Sequence, residues 1–142
     1  MRSPTRTKAG KLASNRVNRR EAAVLGFAKQ VQTCLWDFAV DGGAVGDISF
    51  GVKLPANAVV TGLFTDEQTA VTGADSITIK AGSTSLSGAL DLTASSGVGS
   101  RALASSATAI KLSAESELKI TIATNAATAG KVRFAVEYYI SA

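Results

Sequence analysis

Large apolar residues alternate with polar ones in three stretches of the sequence, at residues 48–54, 118–122 and 132–140. Successive side chains of a β-strand point to opposite faces, so this alternation predicts strands with one buried face. Weaker strand patterns occupy residues 34–40, 58–65, 75–82, 86–92 and 109–112. Residues 93–106 are mostly small and polar, and we expect them to form a long exposed loop.

Turn residues separate these stretches. The sequence GVKLPANAVVTG at residues 51–62 indicates a strand, a corner and a second strand, because Pro55 lacks the amide hydrogen that a strand ladder requires. Roughly seven or eight strands at about ten-residue spacing, with no long helix between them, indicate an all-β sandwich or barrel. Eight strands in two sheets would form a jelly roll. We therefore predict a single β-sandwich or jelly-roll-like domain over residues 34–142.

The N-terminal part of the sequence, residues 1–33, differs in charge. Residues 1–30 carry eight basic residues and one acidic one, a net charge of +7, whereas residues 31–142 carry seven basic and ten acidic ones. Residues 1–20 contain no aromatic and few apolar side chains, so on their own they cannot offset the entropy cost of ordering. The composition predicts an extended basic arm.

A short apolar segment links this arm to the domain. Val24, Phe27 and Val31 recur at helical spacing, and Asn18 precedes Glu21 by three residues, as in a capping box. The pattern predicts a short helix at residues 21–31. The alternative is an extended segment that pairs with a sheet.

Little in the sequence points to catalysis. The absence of histidine excludes Ser–His–Asp and Cys–His catalysis and removes the commonest metal ligand, while Ser–Lys and carboxylate mechanisms stay open. The single cysteine, Cys34, lies in an apolar run and is predicted to be a small buried hydrophobe. Three carboxylate pairs fit solvent-facing turns better than acid–base pairs: Asp41 and Asp47, Asp66 and Glu67, Glu115 and Glu117. The glycine-rich DGGAVGD matches no phosphate-loop pattern. We predict no enzymatic activity, no cofactor and no metal.

Patterns typical of membrane insertion or export are also lacking. No stretch approaches the ~20 apolar residues that span a bilayer. The apolar run AAVLGFA is marginal in length for a signal-peptide core and is followed at once by Lys29. We expect a protein made in a reducing cytoplasm, with no membrane partner.

The basic arm has three interpretations. It is a solubilising terminus, a nucleic-acid-binding arm, or an arm that orders on an acidic protein surface. Clustered basic residues attract phosphate regardless of sequence, but residues 1–20 offer no aromatic group for base stacking. An arm that orders on a protein exchanges entropy for a large contact, and we favour this third interpretation.

Three segments of the sequence resemble one protein family. FGVKLPANAVVTGLFTDEQT, DSITIKAG and ATAGKVRFAVEYYIS are similar to a family of small tailed-bacteriophage virion proteins, which share an LGxLPxNAxV corner and a closing LTAGKxxxxVEY strand. The matching positions are Gly51, Leu54, Pro55, Asn57, Ala58 and Val60, then Ala129, Gly130, Lys131, Val136, Glu137 and Tyr138. Thr128 departs from the pattern, which has a hydrophobic residue there, and the middle loop is short. The resemblance covers residues 48–142.

The resemblance implies a structural subunit of a phage particle, most specifically a capsid decoration (cement) protein on the capsid exterior of the virion. Its expected partners are the major capsid protein and further copies of itself, as a dimer or trimer. The alternatives are a tail or head-fibre component with the same body, a nucleic-acid-binding protein and, as a more distant one, a small carbohydrate-active sandwich.

The basic arm supplies the candidate site residues. We expect Arg16, Arg19 and Arg20 to make charge-assisted contacts with acidic groups of the shell. Four apolar side chains are expected to add the apolar part of that contact: Val24, Leu25, Phe27 and Val31.

Overall fold

The computed structural model describes residues 28–94, 97–105 and 107–141, which form two antiparallel β-sheets. The strands in these ranges are β1 (Gln30–Asp37), β2 (Gly46–Leu54), β3 (Ala58–Thr72), β4 (Ile77–Ala81), β5 (Thr84–Ser85), β6 (Gly97–Arg101), β7 (Ile110–Lys111), β8 (Ser116–Ile122) and β9 (Ala129–Ile140). A single helical turn, α1 (Phe38–Asp41), follows β1, and the Asp37 carboxylate caps it by accepting from the Ala39 amide.

The strand order identifies the architecture. Sheet A has the order β1-β9-β3-β6, with β7 pairing to the start of β3, and sheet B has the order β2-β8-β4-β5. Consecutive strands therefore alternate between the sheets for much of the chain, which is the connectivity of a double-sheet jelly roll. The prediction of an all-β sandwich is confirmed.

The core lies between the two sheets and contains the residues that the alternation marked. Leu54 of β2, Ile120 of β8 and Phe134 of β9 are all fully buried. The rings of Phe50 and Phe134 pack across the layer with centroids 5.9 Å apart, tilted by 41°. Leu86 and Leu92, which the sequence places in a weak strand, are also buried, but they lie outside the strands.

The corner between β2 and β3 depends on Asn57. Its backbone has a φ of 67°, in the left-handed region that asparagine tolerates better than most residues. Its backbone amide donates to the Leu112 carbonyl at 2.8 Å, and its backbone carbonyl accepts from the Ser141 amide at 2.9 Å. The corner predicted at Pro55 is therefore present, and it holds two distant segments together.

Gly130 of β9 lies directly against the Trp36 ring of β1. A Cβ atom built at this position would lie 2.9 Å from Cζ3 of Trp36 and 3.1 Å from Cγ2 of Val71, and the residue has a φ of 149°. Trp36 is fully buried, and its indole nitrogen donates to the Gly42 carbonyl at 2.8 Å. The glycine thus leaves the space that the indole ring fills.

Several predictions from the sequence are wrong in the described residues. Asp66 and Glu67, for example, were predicted in a solvent-facing turn but lie within β3. The stretch expected as an exposed loop contains β6, whose small residues pair through the backbone with Leu63–Glu67 of β3. Glycines carry no strand pattern, so backbone pairing decided the conformation there. Residues 30 and 31, expected at the end of a helix, belong to β1, because pairing with β9 overrides their helical spacing. The expected boundary between residues 33 and 34 falls inside that strand, and residues 1–27 lie outside the described ranges.

We expect Phe134→Ala to lower the free energy of unfolding by about 3–5 kcal/mol, because it opens a cavity in the buried layer. Urea denaturation of the full chain measures this change. Arg133→Ala, one position away but exposed on the outer side of β9, should change the stability by less than ~0.5 kcal/mol. Equal effects of the two changes would contradict the inward orientation of Phe134.

We expect Asn57→Ala to cost about 1–2 kcal/mol, since alanine is strained at a positive φ. Asn57→Gly should stay within about 0.5 kcal/mol of the original chain, because glycine adopts this conformation without strain. Thermal unfolding of both variants compares them directly. Equal losses would instead assign the cost to the side-chain amide.

Candidate partner-binding surface

The outer face of sheet B is polar. Lys119 Nζ lies 3.0 Å from Asp47 Oδ2, and Thr121 Oγ1 donates to Asp47 Oδ1 at 2.6 Å. The hydrogen bonds from Thr121 and then from Lys119 lower the pKa of the Asp47 carboxyl below its ordinary value. Ser49 also donates to the Glu117 carboxylate. These side chains pair with one another across β2 and β8, which is typical of a face turned to solvent.

The outer face of sheet A is different, because large apolar side chains remain exposed on it. The register places Leu35, Arg133, Asp66 and Val98 in one row across β1, β9, β3 and β6. The next row holds Thr33, Ala135, Phe64 and Ser100, and Val31 follows opposite Glu137. We call these three rows the outer face of sheet A.

Phe64 lies near the middle of this face and is 38% exposed. Its neighbours across the strands, Ala135 and Ser100, are too small to cover the ring. A Cβ atom built at Gly62 would lie 3.3 Å from Phe64 Cε2, so the ring leans over that glycine. Val31 is 59% exposed and Val98 is 78% exposed on the same face. A sheet face with this much exposed apolar surface fits a contact with another molecule.

The start of β1 is attached to the outer face of sheet A by a small polar cluster. Lys29 Nζ lies 3.4 Å from Glu137 Oε1, and Thr61 Oγ1 donates to the same oxygen at 2.9 Å. The Thr61 hydrogen bond and, to a lesser extent, Lys29 lower the pKa of Glu137. The basic segment therefore joins the domain beside the exposed apolar face.

The structure locates one of the seven predicted site residues. Val31 lies on β1 with its side chain on the outer face of sheet A. The other six, Arg16, Arg19, Arg20, Val24, Leu25 and Phe27, lie outside the described residues.

Leu35, Phe64 and Val98 were not predicted as surface residues. The alternation along β3 indicates that Phe64 faces outward, because it lies between Leu63 and Thr65, which are both buried. The sequence gives no such signal for Val98, which lies in the strand that was expected to be a loop.

An acidic side chain lies on the inner face near β6. Glu67 stands opposite Val132 and Gly97, and neither carboxylate oxygen has a hydrogen-bond partner among the described residues. Burial raises the pKa of Glu67 above its ordinary value, and the nearby Arg101 charge only partly counters this. Arg101 Nε itself donates to Thr65 Oγ1 at 2.7 Å. The ionised carboxylate is therefore a destabilising group in the folded domain.

A pocket and a single thiol are further chemical features of the described residues. A shallow pocket of about 380 Å³ is lined by residues of β1, α1, β3 and β9, including Asp37, Phe38 and Lys131. Partial burial raises the pKa of the Cys34 thiol to about 12, so the thiol stays protonated. The side chain was predicted to be buried, but it is half-buried and packs against the edge of the core. The described part of the chain contains no group of three or more His, Cys, Asp or Glu residues suited to a metal ion. No helix in those ranges is long and apolar enough to cross a membrane.

Comparisons with known proteins find similarity only at the level of structure. No protein-family model and no curated protein sequence matches the chain. A chain in the acid-stable capsid of Helicobacter pylori bacteriophage KHP30 superimposes with a TM-score of 0.55 at 12% identity, over 82% of this chain and 91% of that one.

Two other capsid structures are similar to the same extent. A chain of the cyanophage Pam1 capsid matches with a TM-score of 0.55 and 21% identity, over 79% of this chain and 84% of that one. A chain of the Ralstonia phage GP4 capsid gives the same TM-score and identity, over 80% and 85%. At these identities the comparisons establish the fold.

We expect Glu67→Gln to stabilise the domain at pH 7. The pKa of Glu67 in the folded domain is raised above its value near 4.5 in the unfolded chain. The protonated carboxyl therefore contributes its full stability below pH 4.5, and this contribution is lost as the pH rises through the folded-state pKa. The advantage of the glutamine variant should therefore be largest at neutral pH and vanish below about pH 4. Denaturant unfolding between pH 3 and 8 tests this, with Glu115→Gln on an exposed loop as the charge-matched control. A pH-independent difference would contradict the assignment.

Proposed function

We propose that this chain is a structural, non-enzymatic component of a bacteriophage particle, a capsid decoration protein that binds the outside of the shell. One observation supports this most directly. Chains from three phage capsid structures share its jelly-roll fold over about four-fifths of its length and most of theirs. The match involves whole domains, so it concerns the entire body and not one shared motif.

The difference between the two outer faces supports one orientation of the domain on the shell. The outer face of sheet B pairs its own charges, as between Lys119 and Asp47, and suits contact with water. The outer face of sheet A exposes Phe64, Val31 and Val98, and burial of such side chains would favour association. In our proposal, sheet A faces other protein in the particle and sheet B faces solvent.

The basic segment supplies the second part of the contact. Arg16, Arg19 and Arg20 would bind acidic groups of the major capsid protein, and Val24, Leu25 and Phe27 would bury apolar surface against it. The segment joins β1 at Lys29, whose ammonium group contacts Glu137 on the outer face of sheet A. Arm and sheet can therefore contribute to one continuous interface. A tail or head-fibre position would use the same body with a different partner.

Nucleic acid is a second candidate partner, favoured by one observation. Residues 1–30 carry a net charge of +7, which is sufficient for sequence-independent binding to phosphates. In this alternative, residues 1–30 would bind the nucleic acid and the β-sandwich domain would make no contact with it. The apolar residues near position 27 would also have no part in nucleic-acid binding. Salt dependence separates the two candidates, because apolar burial resists salt and phosphate neutralisation does not.

We expect the full chain to bind emptied, DNA-free capsids of its phage and to keep part of that affinity between ~50 and ~500 mM salt. Deletion of residues 1–27, which leaves β1 intact from Gln30, should abolish the binding. Phe27→Asp should weaken it strongly, whereas Phe27→Leu, which keeps an apolar side chain, should weaken it little. Co-sedimentation with the capsids measures all four proteins.

The same proteins are then titrated with naked duplex DNA. Neutralisation of seven or eight phosphates would give a slope near −6 to −7 in a plot of log affinity against log salt. Tight DNA binding with that slope, and no binding to emptied capsids, would refute the decoration role and establish the nucleic-acid alternative. Binding to purified tails but not to heads would place the protein in the tail.

A further inference from the structure

One edge of sheet A is an open, regular strand. β1 pairs with β9 through eight consecutive residues without a bulge, and no strand in the described ranges pairs with its other edge. Its sequence QVQTCLWD contains no proline, lysine or arginine, and its one charge, Asp37, is at the last position. Exposed edges of soluble proteins usually carry charges, prolines or bulges that prevent pairing with another chain. β1 lacks these protections over seven residues.

The other sheet edges in the described residues have features that oppose pairing with another chain. β2, the edge of sheet B on the same side, has a register irregularity between Ser49 and Lys53, where Gly51 has a φ of 73°. It also carries a lysine near its end. β6 is five residues long and contains two glycines, and β5 and β7 have two residues each. Among the sheet edges in the described ranges, β1 is therefore the one that lacks such protection.

The sequence of β1 is complementary to itself. When two antiparallel copies are centred on Thr33, Val31 of one copy lies opposite Leu35 of the other, and this pair occurs twice. Lys29 then lies opposite Asp37 of the second copy at both ends. Cross-strand pairs between apolar residues and between opposite charges are the pairs that stabilise sheets.

Other registers lack this complementarity. A two-fold axis perpendicular to the sheet places outward-facing residues only opposite outward-facing residues. From one such register to the next, the residue opposite any given position therefore shifts by two along the strand. One step places Val31 opposite Asp37, and the other places Leu35 opposite Lys29. Both put a charge against an apolar side chain, which the register centred on Thr33 avoids.

We propose that the open edge of β1 is a self-association site, at which two copies pair antiparallel through β1 with Thr33 on the two-fold axis. The pair forms one continuous ten-stranded sheet, because the two β1 strands join the five-stranded sheets A of both copies edge to edge. The two outer faces of sheet A then join into one surface, with the Lys29 residues of the two copies at its opposite ends. The inference goes beyond the proposed function and holds without it, since it depends on strand edge and register alone.

Disulfide trapping tests the register. In a Cys34→Ala background, Thr33→Cys should give a covalent dimer of the full chain on mild oxidation, because opposed residues have Cα atoms about 4.5–5.5 Å apart. Val31→Cys and Leu35→Cys, each alone, are the matched controls. Their symmetry mates lie about 13 Å away along the strand and should not crosslink. A mixture of these two variants should crosslink, since position 31 of one copy lies opposite position 35 of the other.

A charge variant tests the site without crosslinking. Thr33→Lys places two ammonium groups opposite each other on the axis, and it should raise the dissociation constant of the dimer by about tenfold or more. Val98→Lys, also exposed on the outer face of sheet A but on the far strand, should leave the dimer unchanged. Sedimentation velocity measures both, and circular dichroism checks that each variant keeps its β-sheet structure.

The outcomes are distinct. Crosslinking of Thr33→Cys and of the mixed pair, together with dissociation by Thr33→Lys alone, supports the proposal. A monomeric original chain, a dimer unaffected by Thr33→Lys, or equal crosslinking of all three single cysteines overturns it. Association that needs residues 1–27 and gives no Thr33→Cys crosslink also overturns it, because the two copies are then not held together by paired β1 strands. None of these results depends on a capsid, so failure here leaves the decoration role intact.

Discussion

The contact between the two inner sheet faces is the interaction on which the rest of the structure depends. Phe134 and Ile120 fill this layer from opposite sheets, and both are fully buried. Because side chains alternate along a strand with a period of two, burial of one set determines which residues face outward. Phe64 is exposed because Leu63 beside it is buried. The surface available to a partner is therefore a consequence of core packing.

The same constraint gives the two sheets unlike exteriors. On sheet B, outward-facing polar side chains form hydrogen bonds and an ion pair with one another. Exposure of this surface to water therefore costs little free energy. On sheet A the outward positions combine apolar groups with the anchored start of a basic segment, through Lys29 and Glu137. Apolar burial supplies affinity that tolerates salt, while charge supplies orientation and fast encounter. A domain with one face of each kind is suited to lie flat on a larger protein surface.

Sequence alone predicted the parts of this fold in which side chains carry the pattern. Residues 48–54 and 132–140 alternate because one side of each strand is buried and the other is not. β6 was missed because its glycines and Ser100 bind through the backbone, and backbone pairing leaves no trace in composition. The start of β1 was missed because its pairing partner, β9, is about a hundred positions away. For the candidate surface, Val31 was found through the apolar segment, whereas Val98 requires knowledge of the pairing.

The place of β9 inside sheet A affects when the domain can form. β9 follows every other strand along the chain, yet it lies between β1 and β3, and the Gln30 and Tyr138 side chains that meet across β1 and β9 are 108 positions apart. At ~5–20 residues per second, a ribosome needs about 5–20 s to add the intervening chain. During that time β1 has no strand to pair with among the described residues. The insertion of β9, which completes sheet A, is therefore a late folding step of high contact order, and β1 is most prone to misassociation before β9 emerges.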